Sequence, residues 1–391
     1  GNGSLIVGGE NNTTCSDCSV IVGGGDNYAN STGTPYSFIG NGQSNSIRDT
    51  ANHSTISNGF YNCVYGSSCY STIDNGCCNT ISSNYGCSTI LNGYCNTISA
   101  YNGNSILNGF CNTISAYGQN TISNGYCNTI STYNGTILNG GSNTVSNGYA
   151  FVGSGRYNTA SGYHSNIVGG YCNTNQGNYS TIGNGCSNLT NGCATVIAGG
   201  STNVISNSNY SNISGGIVNA VFSEKSNISG GMGNTMGNVM TFSIYCVNGG
   251  EIWIPGNNTG DLVNGDLIQY LDYGANRAVR ANITNSSYNG GYTKLQINQY
   301  PGNFYAFNNI YLTNLTRSST YGQSHFIGGG EFNYISDRCN STIAGGCRNR
   351  IISDGDSWAN VIGGGFCNTI SSYYGCSVIG GGLFLSLIHI S

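Results

Sequence analysis

The chain has 391 residues, of which 63 are glycine and 60 are asparagine; only 6% are charged, and the formal net charge is −4. Ordinary domains carry about 25% charged residues, and this near-neutral composition offers no basic surface for nucleic acid. The 38% hydrophobic content and 29 tyrosines exclude a disordered low-complexity chain, and no apolar run is long enough to span a membrane.

From residue 1 to 237 the chain repeats one unit, anchored on the Ile or Val of an I-x-x-G pattern. A Gly stands three residues after every anchor, and an Asn stands six residues after it in all but one unit. A second apolar residue usually follows at the eighth position, so each unit contains two short, half-buried strands. The pattern resumes from 325 to 384, which gives nineteen anchors: Ile6, Ile21, Ile39, Ile56, Ile73, Ile90, Ile106, Ile122, Ile137, Val152, Ile167, Ile182, Ile197, Ile213, Ile228, Ile327, Ile343, Ile362 and Ile379.

A tight corner separates the two strands of each unit. Its glycine, represented by Gly93, Gly109 and Gly125, follows an Asn or another Gly in nearly every unit. Such dipeptides permit positive φ at both residues and reverse the chain. The Asn of the sixth position, represented by Asn96, Asn112 and Asn128, tolerates the left-handed conformation, and its amide is suited to stack into a ladder.

Units of 15–19 residues become stable only by stacking on one another. The sequence therefore predicts an all-β fold, a parallel β-solenoid (β-roll) of about nineteen coils that rises about 4.8 Å per coil and about 90 Å in all. From 238 to 324 the rhythm stops, and the alternation predicts one small inserted antiparallel β-domain, a barrel or a sandwich. Residues 385–391 leave the repeat, with Leu385 in place of Asn, and are interpreted as an apolar cap or as an artefact of sequencing.

Three segments carry a family resemblance: "SNIVGGYCNTN" (165–175), "SVIGGG" (377–382) and "AFVGSGRYNTASG" (150–162). They resemble the YadA-like (Hep/Hag) head repeat of trimeric autotransporter adhesins, and the resemblance covers about three quarters of the chain. It implies a left-handed parallel β-roll, three chains side by side and an adhesive surface role. The longer repeat, the Asn in place of a small Ala and the many cysteines depart from that family. The Gly-Gly-Gly-x-x-Asn repeats of giant viruses and algae look closer still.

The eighteen cysteines favour an oxidising compartment. One file of four, at the fifth position after the anchor, is suited to disulfides between neighbouring coils: Cys78, Cys95, Cys111 and Cys127. Further candidate pairs lie within one position of each other on neighbouring coils: Cys69 with Cys87, Cys172 with Cys186, and Cys347 with Cys367. The alternative interpretation is a series of free, half-buried thiols.

Other chemistry is sparse. Cys15 and Cys18 form one CxxC without a second pair, and the four histidines match no cysteine spacing, so no metal site and no cofactor are predicted. Scattered acidic residues provide no catalytic cluster, so no enzymatic activity is predicted. Candidate N-glycosylation sites are Asn30, Asn52, Asn178, Asn282 and Asn314, although this composition generates such sequons by chance.

We therefore expect an extracellular structural fibre or filament subunit, a rod-like spacer with an adhesive role on a cell or virion surface. Because an uncapped solenoid end is an open strand edge, self-association into homo-oligomers or end-to-end filaments is expected. One alternative is a surface glycan-binding module that acts through the inserted domain. A second is an ice-binding solenoid, for which the outward threonine file would be Thr80, Thr97, Thr113, Thr129, Thr144, Thr159 and Thr174.

Overall fold

The computed structural model describes residues 2–32, 36–82, 86–237, 241–243, 246–248, 251–255, 267–272, 277–289, 292–297, 304–305, 311–314, 324–336, 340–352, 356–357, 359–372 and 374–389. The elements of these residues are all strands, which confirms the predicted fold class. No helix among the described residues is long and apolar enough to span a membrane. The chain divides into two compact units, Gly1–Thr190 and Asn191–Ser391.

The first unit is a parallel β-solenoid in which each coil contributes a first strand to one sheet and a second strand to another. The first strands are Leu5–Ile6, Val20–Ile21, Phe38–Ile39, Thr55–Ile56, Thr72–Ile73, Thr89–Ile90, Ser105–Ile106, Thr121–Ile122, Thr136–Ile137, Phe151–Val152, Asn166–Ile167 and Thr181–Ile182. The second strands are Thr13–Thr14, Tyr28–Ser31, Ser46–Asp49, Cys63–Val64, Thr80–Ile81, Thr97–Ile98, Thr113–Ile114, Thr129–Ile130, Thr144–Val145, Thr159–Ala160, Thr174–Asn175 and Leu189–Thr190.

Neighbouring coils of this unit pair in parallel and in register. Among second strands, Thr97–Ile98 pairs with Thr113–Ile114, and the first strands pair in the same way. A third contact in each coil joins the residues that follow the corner glycines, such as Tyr94 and Phe110. Equivalent residues therefore lie in files that run along the unit, one residue per coil.

Two apolar files form the core, one from each strand. Ile90 and Ile98, like their equivalents in most coils, are fully buried, while the preceding threonines are only half-buried, because alternate side chains of a strand point to opposite faces. Each fully buried Ile contributes about 1.5–3 kcal/mol. A third inward file is polar and was not predicted: Ser71 and Ser88, two residues before their anchors, are also fully buried.

The second unit repeats the same coil. Its first strands are Val196–Ile197, Asn212–Ile213, Asn227–Ile228, Phe326–Ile327, Thr342–Ile343, Val361–Ile362 and Val378–Ile379, and its second strands are Val204–Ile205, Ala220–Val221, Thr235–Met236, Tyr334–Ser336, Arg350–Ile352, Thr369–Ser372 and Ser386–His389. Asp356–Ser357 and Tyr374–Gly375 form an additional parallel pair. Ile228 pairs with Ile327, so the coil before the insertion lies directly against the coil after it.

The insertion contains antiparallel strands, as predicted. The strands described there are Thr241–Ser243, Cys246–Asn248, Glu251–Pro255, Leu267–Asp272, Arg277–Asn289, Tyr292–Ile297, Phe304–Tyr305 and Tyr311–Asn314. The 13-residue strand Arg277–Asn289 pairs through its first part with Leu267–Asp272 and through its second part with Tyr292–Ile297. Ile252, Ile283 and Leu295 are buried on this sheet.

Residues at the end of the described chain continue the solenoid backbone. Ser386–His389 pairs in parallel with Thr369–Ser372, and the N–H of Leu385 donates to Oδ1 of Asn368 at 3.0 Å. Leu385 thus occupies the ladder position, but its side chain has no amide with which to extend the ladder.

The predicted corner conformation is wrong in two respects. The left-handed residue is not the Asn of the sixth position but the residue before it: φ is +55° at Cys95, +54° at Cys111 and +53° at Cys127. Of the Asn92-Gly93 dipeptide, only Gly93 has positive φ, at +116°, whereas in the Gly-Gly corner Gly329-Gly330 both residues have positive φ, at +142° and +87°, as predicted. The Asn side chain of the sixth position is drawn into the core, so the chain has to turn one residue earlier.

Candidate functional surface

The corner glycines lie in one file because no other residue fits there. A Cβ built on Gly93 would lie 2.1 Å from the carbonyl oxygen of Gly109, and one on Gly109 would lie 2.2 Å from that of Gly125. Real Cβ atoms do not approach backbone oxygens so closely. The glycine therefore permits the close approach of successive coils as well as the positive φ.

The asparagines of the sixth position form a buried ladder. The N–H and Nδ2 of Asn112 donate to Oδ1 of Asn96 at 3.0 and 3.1 Å, and those of Asn128 donate to Asn112 in the same way. The Nδ2 of Asn112 also donates to the carbonyl oxygen of Gly125 at 2.9 Å. All three amides are fully buried. Their polar groups are paired, which a buried amide requires to avoid a desolvation cost.

Outside this corner lies a surface that we call the thiol–aromatic edge: Cys77, Cys78, Tyr94, Cys95, Phe110, Cys111, Tyr126 and Cys127. These residues occupy the fourth and fifth positions of four successive coils, beyond the corner glycine. Tyr94 and Phe110 stack at 5.3 Å between ring centroids, and both are nearly half exposed. Between Asp74 and Arg156 the sequence contains no charged residue and no histidine. The side chains of the edge are therefore neutral and rich in apolar groups and thiols, and one charge lies at its end, where the guanidinium of Arg156 is 5.4 Å from the centroid of the Tyr126 ring.

The four-cysteine file runs along this edge. Cys78, Cys95 and Cys111 are half-buried and Cys127 is exposed, and all are free thiols. The Sγ atoms of Cys77 and Cys78 lie 3.1 Å apart. A hydrogen bond with Cys77, together with burial, raises the pKa of Cys78, and burial raises the pKa of Cys111. Disulfides within the file stay a prediction.

Two other predicted cysteine pairs also lie on neighbouring coils. Cys186 pairs with Tyr171, the residue that precedes Cys172. Burial raises the pKa of Cys172, against a hydrogen bond with Tyr171 that lowers it, and the charge of Cys186 adds a smaller increase. The N–H of Cys367 donates to the carbonyl oxygen of Cys347 at 2.9 Å.

The third pair is arranged differently. Cys69 donates through Sγ to the carbonyl oxygen of Thr50 at 3.3 Å, and Cys87 is exposed. All six thiols of these three pairs are free, and their pairing stays a prediction.

A second file of left-handed residues, three positions before the anchors, was missed by the sequence analysis. It contains two aromatic sandwiches, in each of which a histidine ring stacks between two tyrosines: Tyr36, His53 and Tyr70, and Tyr149, His164 and Tyr179. The centroids are 4.7–5.2 Å apart. The signal available in the sequence is an aromatic ring or histidine at the same offset from successive anchors.

The threonine file is continuous in the structure. The parallel register pairs Thr80 with Thr97, Thr97 with Thr113 and Thr113 with Thr129, and continues through Thr144, Thr159 and Thr174. These threonines are half-buried. Ser99 and Ser115, which follow Thr97 and Thr113 by two residues, are exposed. This face therefore presents parallel rows of hydroxyls.

The remaining candidates lie in different environments. Asn178 is exposed, whereas Asn30 is half-buried and donates to Oη of Tyr28 at 2.9 Å, and half-buried Asn52 accepts from Ser31 at 2.8 Å. The side chains of Asn282 and Asn314 lie outside the described residues. Glycosylation stays a prediction at all five sites.

Within the described ranges, no three or more His, Cys, Asp or Glu side chains are arranged to hold a metal ion. No family model matches the chain, and no curated protein matches it either. The geometry of the residue files is therefore the basis for a functional assignment.

Proposed function

We propose that the protein is an extracellular structural fibre or filament subunit, a rod-like spacer that self-associates and adheres at a cell or virion surface. The observation that carries this proposal is the in-register stacking of coils through the buried Asn ladder. Each coil is bonded mainly to the coils before and after it, and such an architecture extends by simple addition of units. Stacked units of this kind suit a spacer, because length is gained without a larger core.

The neutral edge supports self-association. Beside Tyr94 and Phe110 on the same corner, Leu91 and Leu107 are 42% and 39% exposed. Exposed apolar rows of this kind favour contact with another protein surface, and the lack of charge removes the repulsion that keeps identical chains apart. A second copy of the same edge is a suitable partner, because it is equally neutral and equally apolar.

The test is to image the purified full chain by negative stain and to measure its sedimentation. We expect filaments or laterally associated particles for the wild type. The variant Leu91→Lys/Leu107→Lys should dissociate lateral assemblies, while Ser99→Lys/Ser115→Lys, which adds equal charge on the hydroxyl face, should not. A monodisperse monomer at all concentrations would refute self-association.

The hydroxyl rows favour a second candidate function, binding to ice. An ordered water lattice binds to a surface whose groups are regularly spaced. The seven threonines in parallel register form such an array. Thermal hysteresis of the full chain measures this activity. Thr113→Tyr/Thr129→Tyr should abolish it, and Thr121→Tyr/Thr136→Tyr, placed in the first-strand file, should leave it intact. If the wild type shows no thermal hysteresis, this function is excluded. The glycan-binding alternative stays a prediction.

A further inference from the structure

We infer that the file Cys78–Cys95–Cys111–Cys127 is a site for soft d10 cations such as copper(I), each held in linear two-coordination between the thiolates of neighbouring coils. Ion binding at this file is independent of the structural role proposed above.

The four thiols are related by the coil repeat. Each cysteine has a φ between +53° and +58°. Each is fixed to the preceding coil by its backbone: the N–H of Cys95 donates to the carbonyl oxygen of Cys77, that of Cys111 to Tyr94, and that of Cys127 to Phe110, all at 2.9 Å. Successive Cα and Cβ atoms are consequently displaced by one coil, which is about 4.8 Å.

This spacing suits a bridging metal better than a direct sulfur–sulfur bond. A disulfide ordinarily requires Cβ atoms about 3.5–4.5 Å apart, so neighbouring coils would have to approach each other. A metal–thiolate bond is about 2.3 Å long, and two collinear bonds therefore span about 4.6 Å. Sγ atoms of cysteines that share one rotamer are displaced by the same coil spacing, which matches that span to within about 0.2 Å.

The same geometry selects the ion. Thiols arranged in a straight row cannot converge on one tetrahedral centre, which agrees with the lack of any described cluster of three or more ligands. Thiolates favour soft ions such as copper(I). Copper(I) and silver(I) accept two collinear ligands, so pairs of thiolates in a row satisfy them without a third side chain.

The surroundings make the row accessible. The corner is open to solvent, and no lysine, arginine, aspartate or glutamate occurs between residues 75 and 155. The guanidinium of Arg156 lies over the Tyr126 ring at the Cys127 end of the file, 5.4 Å from the ring centroid. Binding of one ion converts two thiols and M⁺ into the anion [RS–M–SR]⁻ and two protons, with no change of oxidation state. Because binding releases two protons, affinity should increase with pH.

The experiment compares two variants that have equal numbers of thiols. Both carry Cys77→Ser. Cys78→Ser/Cys127→Ser retains Cys95 and Cys111 on neighbouring coils, whereas Cys95→Ser/Cys127→Ser retains Cys78 and Cys111, which are two coils and about 9.6 Å apart. The reduced full chains are titrated with silver(I) in chloride-free buffer by calorimetry and native mass spectrometry.

We expect the adjacent variant to bind one more tightly held silver ion than the separated variant, with release of two protons. The affinity of the separated pair should be lower by a factor on the order of 100, because one ion cannot reach both thiols. Equal stoichiometry and equal affinity in the two folded variants overturn the inference.

A second measurement needs no substitution. Silver(I) should protect Cys95 and Cys111 of the wild type from alkylation by N-ethylmaleimide, as read by peptide mass spectrometry. Cys376, whose equivalent in the preceding coil is Ala359, provides the control and should lose its reactivity only at higher silver concentrations. Equal protection of Cys376 and the file at every silver concentration would contradict a two-coil site.

Discussion

Asn112 donates both its backbone N–H and its side-chain Nδ2 to the single Oδ1 atom of Asn96, at 3.0 and 3.1 Å. Oδ1 of Asn112 in turn accepts both groups of Asn128. One amide therefore fixes the vertical register of three coils. Neither an acid nor an apolar residue of similar size provides the donor and the acceptor together.

Removal of this amide should destabilise the first unit. Asn112→Ala leaves the N–H of Asn128 without its acceptor and removes one of the two donors to Oδ1 of Asn96, so we expect a loss of about 3 kcal/mol in the free energy of unfolding. Urea unfolding followed by circular dichroism measures the difference. A loss no larger than that of an exposed Asn, such as Asn108→Ala, would contradict a ladder that stabilises the fold.

An acid at the same position should make stability depend on pH. The second carboxyl oxygen of Asn112→Asp would face two acceptors, Oδ1 of Asn96 and the carbonyl oxygen of Gly125, where the wild type has a donor. Burial and this contact raise the pKa of the carboxyl in the folded variant above that of the unfolded chain. Its charged form is thus disfavoured in the fold, and the free energy of unfolding should fall as the pH rises from about 4 to about 8. Asn108→Asp is the control, because Asn108 is exposed and only accepts from the N–H of Gly109.

Two adjacent glycines should respond oppositely to alanine. Gly346 has a φ of +87°, and a Cβ there would lie 2.2 Å from the carbonyl oxygen of Gly365, so Gly346→Ala should separate two coils and destabilise the second unit by at least about 3 kcal/mol. Gly345 has open space around its Cβ direction. Gly345→Ala should therefore change stability by less than about 1 kcal/mol. Thermal unfolding of both variants tests the difference.

The file of left-handed residues at the fifth position after the anchor predicts a substitution that stabilises the fold. Val218 has a φ of +60°, which is unfavourable for a β-branched residue, whereas Asn adopts this conformation readily. Val218→Asn should raise the free energy of unfolding by about 1 kcal/mol. The same change at Val196, an exposed residue of a first strand, should slightly lower it, because Asn is a poor strand former. Stabilisation by both changes, or by neither, would exclude this explanation.

The thiols of the edge should react slowly near neutral pH. The pKa of Cys111 is raised chiefly by burial, so its alkylation rate should reach half its maximum at a higher pH than that of a free cysteine. Because the fold favours the protonated thiol, raising the pH through the thiol range should also lower stability slightly. Alkylation of the chain unfolded in urea provides the reference, and equal inflection points would contradict the prediction.

The positions that could be predicted from sequence are those where only one residue type satisfies the packing. The corner glycine is required by the close approach of Gly93 to Gly109, and the buried Asn96 by two-sided hydrogen bonding. Ile90 and Ile98 fill the core. These requirements recur in each coil, so the repeat reveals the two strands, their faces and the parallel stacking.

The features that escaped prediction are imposed by neighbouring residues. Cys95, Tyr157 and Val218 share the left-handed conformation, although their side chains have no common preference for it. Their backbones turn because the next residue is drawn into the ladder. The Tyr–His sandwiches were missed although their rings stand three residues before successive anchors, because that offset does not by itself show that Tyr and His adopt the left-handed conformation in which they stack.

The Asn ladder also has a direction. In every pair described, the amide N–H points from the later coil to the Oδ1 of the earlier one, as from Asn128 to Asn112 and from Asn112 to Asn96. A stack of such coils is therefore vectorial, because Oδ1 of each ladder Asn faces the later coil and its backbone N–H faces the earlier one. The ladder continues across a junction between two such stacks only when they join head to tail, which makes any filament built in this way polar and able to grow differently at its two ends.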